Sequence, residues 1–157
     1  MKKLLFTTAI LSVTFFACKK KETTTSGANA SLSSVITIKG KASANTDLSN
    51  STLELVPAGT KIVAYVPIND LRLTPDSSQA NKFATFTTTV QSDGTYTITI
   101  GAPPKDVNVV MHYDDFVLDQ IQPTGASPSS IRRTFSFTTD SLVLVSGVTK
   151  VKDLIWQ

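Results

Sequence analysis

Catalysis requires a base, a nucleophile or a metal, and few residues here can supply one. His112 is the single histidine of the 157-residue chain, followed directly by Tyr113, Asp114 and Asp115. A histidine beside carboxylates can serve general-base or nucleophilic chemistry. A Ser-His-Asp arrangement would also need a serine against the ring, and no Gly-x-Ser-x-Gly elbow occurs. Val107, Val109, Met111 and Tyr113 alternate with Asn108, Val110, His112 and Asp114, a strand pattern that puts His112 on the solvent face. No enzyme is expected, and a hydrolase using His112 stands only as an alternative. Asp114, Asp115 and Asp119 are oxygen donors of the type calcium takes. They lack the Asp-x-Asp-x-Asp-Gly run of an EF-hand, so they read as polar positions at a strand end or turn, with a calcium site as the alternative. Zinc uses clusters of Cys and His, and the chain has one of each. No cofactor is expected. Trp156 and Tyr65 are candidates for sugar stacking, but Trp156 in a terminal strand reads as core, and Phe83, on a threonine-rich face, is the better exposed aromatic.

Cys18 is the single cysteine. It follows Met1-Lys2-Lys3 and an apolar run from Leu4 to Ala17, the layout of a secretory signal with a small residue before the cut. Phe15-Phe16-Ala17-Cys18 resembles the lipobox of bacterial lipoproteins, and Phe-Phe-Ala-Cys-Lys-Lys is similar to variants in Bacteroidota. The two Phe depart from the commonest Leu-Ala/Ser-Gly-Cys form. The resemblance implies cleavage before Cys18 and acylation of its thiol and new amino group. Each buried methylene contributes about 0.8 kcal/mol, so two or three chains hold a protein on a bilayer where one would not. An ordinary cleaved signal is the alternative. A spanning helix is not, because roughly 14 apolar residues reach ~21 Å against a ~30 Å hydrocarbon core. A lone cysteine forms no internal disulfide, so packing must supply stability.

The chain has 15 Lys and Arg against 12 Asp and Glu, an excess that belongs to the leader. Without Lys2, Lys3, Lys19, Lys20, Lys21 and Glu22, 10 basic residues face 11 acidic ones. No basic stripe interleaves with aromatics, so nucleic acid is not an expected partner. After the signal peptide (1–17), residues 18–32 are small and polar without apolar periodicity, the composition of a flexible tether. Lys19, Lys20 and Lys21 could rest on anionic headgroups at about 1 kcal/mol each, or simply be solvated.

Residues 33–157 make one domain, long enough for a real core. Val, Ile, Thr, Phe and Tyr recur in short alternating runs broken by Pro, Gly, Asn and Asp, which argues for strands. Ser92-Asp93-Gly94 predicts a three-residue hairpin loop with Gly94 left-handed. Counting outward pairs Val90 with Tyr96, Thr88 with Ile98 and Phe86 with Ile100 on the apolar face. Ile36 and Ile38 continue into Gly40, Ile62, Ala64 and Val66 precede a strand end or edge at Pro67, and Phe135 alternates with Phe137. Leu142 to Val145 and Val148 to Trp156 close the set. The expected fold is all-β, a single β-sandwich of seven or eight strands, with loops over residues 71–80 and 122–130 as recognition surfaces.

Ile38-Lys39-Gly40-Lys41-Ala42, Pro57-Ala58-Gly59-Thr60-Lys61-Ile62-Val63-Ala64 and Thr88 through Ile98, containing Asp93-Gly94-Thr95-Tyr96, resemble the carboxypeptidase regulatory-like domain, an immunoglobulin-like or prealbumin-like (transthyretin-like) sandwich. The similarity covers about Val35 to Tyr113, with a Gly after the first strand and an Asp-Gly-x-Tyr hairpin mid-domain. It implies a stabilising or binding module without chemistry of its own. The expectation is therefore an outer membrane lipoprotein of the cell envelope, attached to the membrane through lipid on Cys18, with a protein or glycan partner. The alternative is a structural subunit or adhesin pairing through an exposed strand edge. Surface-exported lipoproteins of Bacteroidota often carry acids soon after the cysteine, whereas Lys19-Lys20-Lys21 precedes Glu22 here. The cell surface and the periplasmic face both stay open.

Overall fold

The computed structural model describes residues 34–123 and 129–157. The expected signal peptide, Cys18 and the expected tether lie outside the described residues. Among the described residues there are eleven strands: β1 (Ser34–Ala44), β2 (Glu54–Leu55), β3 (Lys61–Pro67), β4 (Phe83–Thr89), β5 (Thr95–Ala102), β6 (Asp106–Tyr113), β7 (Phe116–Gln122), β8 (Ser129–Phe135), β9 (Asp140–Val145), β10 (Thr149–Val151) and β11 (Leu154–Trp156). The other regular elements are short 3-10 turns at Ile68–Leu71 and Ser77–Gln79.

The long strand β1 is the spine of one sheet. It pairs antiparallel with β5 and β2, and parallel with β10 and β11. The second sheet runs β4-β3-β6-β9, and β7 and β8 form a separate hairpin. Because side chains alternate across a strand, each sheet presents one apolar face. Ile36, Ile38, Tyr96, Ile98 and Ile100 from the first sheet join Ile62, Ala64, Val66, Val107, Val109 and Met111 from the second in one buried cluster. Each large aliphatic side chain in it contributes about 1.5–3 kcal/mol by leaving water. The fold is an all-β sandwich, as expected. Pro67 is the last residue of β3, where its missing N–H costs the ladder least.

The pairing expected for residues 82–100 is corrected. The turn forms as read: Gln91 N–H donates to Thr95 O at 2.8 Å, Gly94 N–H donates to Gln91 O at 3.0 Å, and Gly94 has φ 77°. Asp93 Oδ1 accepts from Thr95 N–H at 2.9 Å and Thr95 Oγ1 at 2.7 Å. Beyond the turn the strands part. Phe86 lies opposite Ala64 and Thr88 opposite Ile62, while Ile98 lies opposite Ile38 and Ile100 opposite Ile36. The turn is thus an arch joining the two sheets. Alternation selects which side chains face the core, and it did so correctly for Val90, Tyr96, Ile98 and Ile100. It cannot say whether two apolar faces meet side by side in one sheet or across the core.

The strand count is also corrected. β2 and β7 were not expected, and residues 148–156 split into two strands for a local reason. Val151 lies opposite Lys39 and Leu154 opposite Ala42, so β10 and β11 keep one register along β1. Between them Lys152 N–H donates to Lys39 O at 2.8 Å, and the Asp153 carboxylate takes the Lys41 N–H at 2.8 Å. The Lys152 carbonyl turns over Gly40, where a Cβ would stand 1.9 Å from it. Tyr96, opposite Gly40, reaches across to donate its hydroxyl to that carbonyl at 2.7 Å. Gly40 therefore lies inside β1, not after it, and its missing side chain admits the crossing. The expected loop over residues 122–130 is narrower as well, since Gln122 belongs to β7 and Ser129 and Ser130 to β8.

Candidate functional site

His112 projects from the outer face of β6, exposed as expected. Its ring meets Tyr65 edge-on, with centroids 5.2 Å apart, and its Nδ1 lies 3.3 Å from Thr139 Oγ1. Phe83, 53% exposed, and Val110 complete a concavity of about 310 Å³ with these two rings. It is an open, mostly apolar hollow on the flat of the sheet.

The acids stand apart in role. Asp114 is held through its backbone, its N–H donating to Lys61 O at 2.9 Å and its carbonyl accepting from Trp156 Nε1 at 3.2 Å. Asp115 lies exposed in the turn between β6 and β7. Asp119 sits on β7, 3.6 Å from Arg132 across the hairpin, with both side chains well exposed. Such a pair contributes about 0–1 kcal/mol. Among the described residues no group of three or more His, Cys, Asp or Glu side chains converges, so the fold does not gather Asp114, Asp115 and Asp119 into one ligand set.

Trp156 is fully buried, as its place in a terminal strand suggested. It lies on the opposite side of the sheet from Tyr65 and cannot share a platform with it. Tyr113, Phe137 and Phe116 surround it at centroid distances of 5.8, 5.4 and 6.2 Å, and Phe116 stacks on Phe135 at 5.1 Å. This aromatic cluster is the floor on which the β7–β8 hairpin rests. Burial pushes the Tyr113 hydroxyl well above the usual phenol range, with smaller contributions from Tyr96 and Asp140. That hydroxyl has no hydrogen-bond partner.

The hairpin is tied down by backbone pairing and by one buried amide. Ile121 N–H donates to Thr46 O and Leu48 N–H to Ile121 O, each at 2.9 Å. The loop they hold is shaped by Thr46, whose N–H and hydroxyl both donate to Glu54 Oε2, and by Asp47, which accepts from Ser49 and Asn50. These bonds to Ser49 and Asn50 hold the Asp47 carboxyl below its ordinary value, the Ser49 hydroxyl most of all. Alternation along β7 sends Phe116, Leu118 and Gln120 inward. Gln120, 3% exposed, donates Nε2–H to Asn45 O at 2.6 Å and accepts at Oε1 from Arg133 Nη1 at 3.1 Å.

A second cavity, also about 310 Å³, opens here. Leu48, Leu53 and Ile155 form its walls, Phe135 and Trp156 its floor, and Arg133 its charged rim. Adjacent arginines thus have different fates. Arg132 faces outward to Asp119, while Arg133 faces the cavity and has no acid partner among the described residues. A guanidinium has five N–H donors, and one nitrogen of exposed Arg133 donates to Gln120 Oε1, which also accepts from Gln122 Nε2 at 3.1 Å. The arrangement can receive a carboxylate at Arg133 with an apolar body against Leu48, Leu53 and Ile155.

Neither Gln120 nor Arg133 was singled out from the sequence. The signal that finds them is the pairing of Asp119 with Arg132, which sets Leu118 opposite Arg133 on the inner face, and that register follows from a hairpin whose first strand was not expected. No family model matches the chain, and no curated protein is significantly similar to it.

Proposed function

We propose that this chain is a non-enzymatic binding module of the bacterial cell envelope, anchored by lipid on Cys18, whose sandwich takes an apolar ligand bearing a carboxylate. The observation that carries the binding half is Arg133, a guanidinium bonded to buried Gln120 at a cavity lined by Leu48, Leu53 and Ile155 together with polar Asn45 and Gln157, and unpaired with any acid among the described residues. The cavity volume suits a small ligand or the end of a chain, such as a peptide C-terminus with an aliphatic side chain. The anchor rests on the lipobox resemblance at Phe15-Phe16-Ala17-Cys18, and the sandwich fold is compatible with the carboxypeptidase regulatory-like resemblance. Fold likeness alone assigns no activity.

Two measurements test the two halves. N-acetyl-leucine, with N-acetyl-leucinamide as its uncharged control, probes the cavity: the acid should shift the amide resonances of Leu48, Leu53 and Ile155, and R133Q should abolish the difference between acid and amide. For the anchor, wild type should fractionate with membranes and C18A should not. Protease treatment of intact and lysed cells then assigns the side. Digestion of wild type on intact cells means surface display, and protection until lysis means the periplasmic face.

A further inference from the structure

The sandwich ends on one side in two strands that have a neighbour on one edge only. β4 pairs with β3 and β5 pairs with β1, and neither has a second partner among the described residues. The bonds just outside β4 set which of its groups point outward. Val90 N–H donates to Thr60 O and Ile68 N–H to Lys82 O, at 2.9 Å each. Antiparallel bonding alternates, so Ala84, Phe86 and Thr88 bond β3 while the N–H and C=O groups of Phe83, Thr85 and Thr87 face away from the sheet. No charge, proline or glycine interrupts β4, although these are the usual devices that keep an open edge from pairing. The edge on the far side of the same sheet does carry one, Asp140 at the start of β9.

We infer that β4 pairs with β4 of a second copy of this chain, antiparallel about a two-fold axis at Phe86. Thr85 then lies opposite the partner's Thr87, so their outward groups meet complementary groups, and Phe83 lies opposite the partner's Thr89, whose carbonyl also accepts from Gln91 Nε2 at 2.9 Å. On the outer face this gives Thr–Thr pairs, which are favourable in antiparallel sheets. Half-buried Phe86 meets its symmetry mate on the inner face. Charge favours β4 over β5 as the joining edge. On the outer face β4 is backed by Lys61, Val63 and Tyr65, opposite Thr89, Thr87 and Thr85. β5 is backed by Lys39 and Lys41, opposite Thr97 and Thr95. Two copies joined through β5 would bring like charges within about three strand spacings, roughly 14 Å. Across the β4 junction the two Lys61 are also offset by six residues along the strands, roughly 20 Å, so like charges stand farther apart there. The junction also covers part of exposed Phe83, and it leaves the Arg133 cavity at the hairpin untouched.

Sedimentation of the full chain in density-matched detergent tests this pairing. Wild type should carry the protein mass of two chains. T85K/T87K sets ammonium groups opposite one another at both crossed positions and should sediment as one chain, while T97K/T99K should remain two. Circular dichroism confirms that each variant is folded. A second reading needs no added charge: in a C18A background, oxidation of F86C should link two chains at the axis. Wild type sedimenting as a single chain would overturn the inference and leave a strand of another protein as the edge's partner. Dissociation of T97K/T99K, or an F86C chain that never links, would overturn it equally.

Discussion

Two hollows of the same volume, about 310 Å³ each, differ in what lies beneath them. The one at Tyr65, Phe83, Val110 and His112 is laid on the outer face of a sheet whose inner face already seals the core. The one at Leu48, Leu53, Ile155 and Arg133 is roofed by a hairpin and floored by Trp156, and its polar rim is held by Gln120 at 3% exposure. Similar aromatic content therefore carries different meaning: on the flat face it is surface, while under the hairpin it is the support that keeps a guanidinium aimed. The difference lies in second contacts, since His112 touches Tyr65 and Thr139 at the surface, whereas Arg133 leans on a side chain that is itself bonded to the backbone at Asn45.

The most forceful way to break this contrast is to empty each hollow's aromatic support. W156A should lose about 3–5 kcal/mol, the range for removing a large buried aromatic, and should loosen the hairpin. Y65A or F83A should stay within about 0.5 kcal/mol, as surface changes do. Chemical denaturation reads both, and comparable losses would erase the distinction.

Alkaline titration sharpens it next. Tyr96 and Tyr113 are both raised, chiefly by burial, above the ordinary phenol value of 10.0. The unfolded chain therefore loses these protons first. Their contribution is whole below pH about 10 and drains away as pH rises toward the folded-state values. Unfolding and tyrosinate absorbance should rise together above that pH, and Y113F should blunt the dependence.

The smallest effect lies in the cavity's own loop. Asp47 is lowered, mainly by the Ser49 hydroxyl. Its contribution is present above the unfolded carboxylate value near 3.9 and is lost as pH falls through the lower folded value. Hydrogen exchange at Leu48 should quicken there in wild type, and D47N should show the faster exchange already at neutral pH.

Much of the fold was legible because alternation reports burial directly. Ile36, Ile38, Ile62, Ala64, Val107, Val109 and Met111 all lie in the core where the pattern put them. The turn at Ser92-Asp93-Gly94 was legible because Gly94 needs a positive φ and Asp93 can accept from the residue two positions on, Thr95. Neighbours were not, since the same apolar face on β4 and β5 fits a hairpin or an arch equally well. Gly40 is informative only once the Lys152 carbonyl is seen lying over it. Of the cavity, Trp156 was legible as core, but Gln120 and Arg133 were not. A lone Gln inside a strand such as Phe116-Val117-Leu118-Asp119-Gln120 gives no sign of which chain segment will accept its amide. Cys18 and the tether lie outside the described residues, and their reading stays with the sequence.

The most direct test of the central claim is the resonance titration at Arg133. Wild-type chain titrated with N-acetyl-leucine should shift Leu48, Leu53 and Ile155 and leave Tyr65 and Val110 still. The amide control and R133Q should each remove most of that response. Equal shifts with acid and amide, or a response centred on Tyr65 and Val110, would contradict the account and move the binding surface to the flat of the sheet.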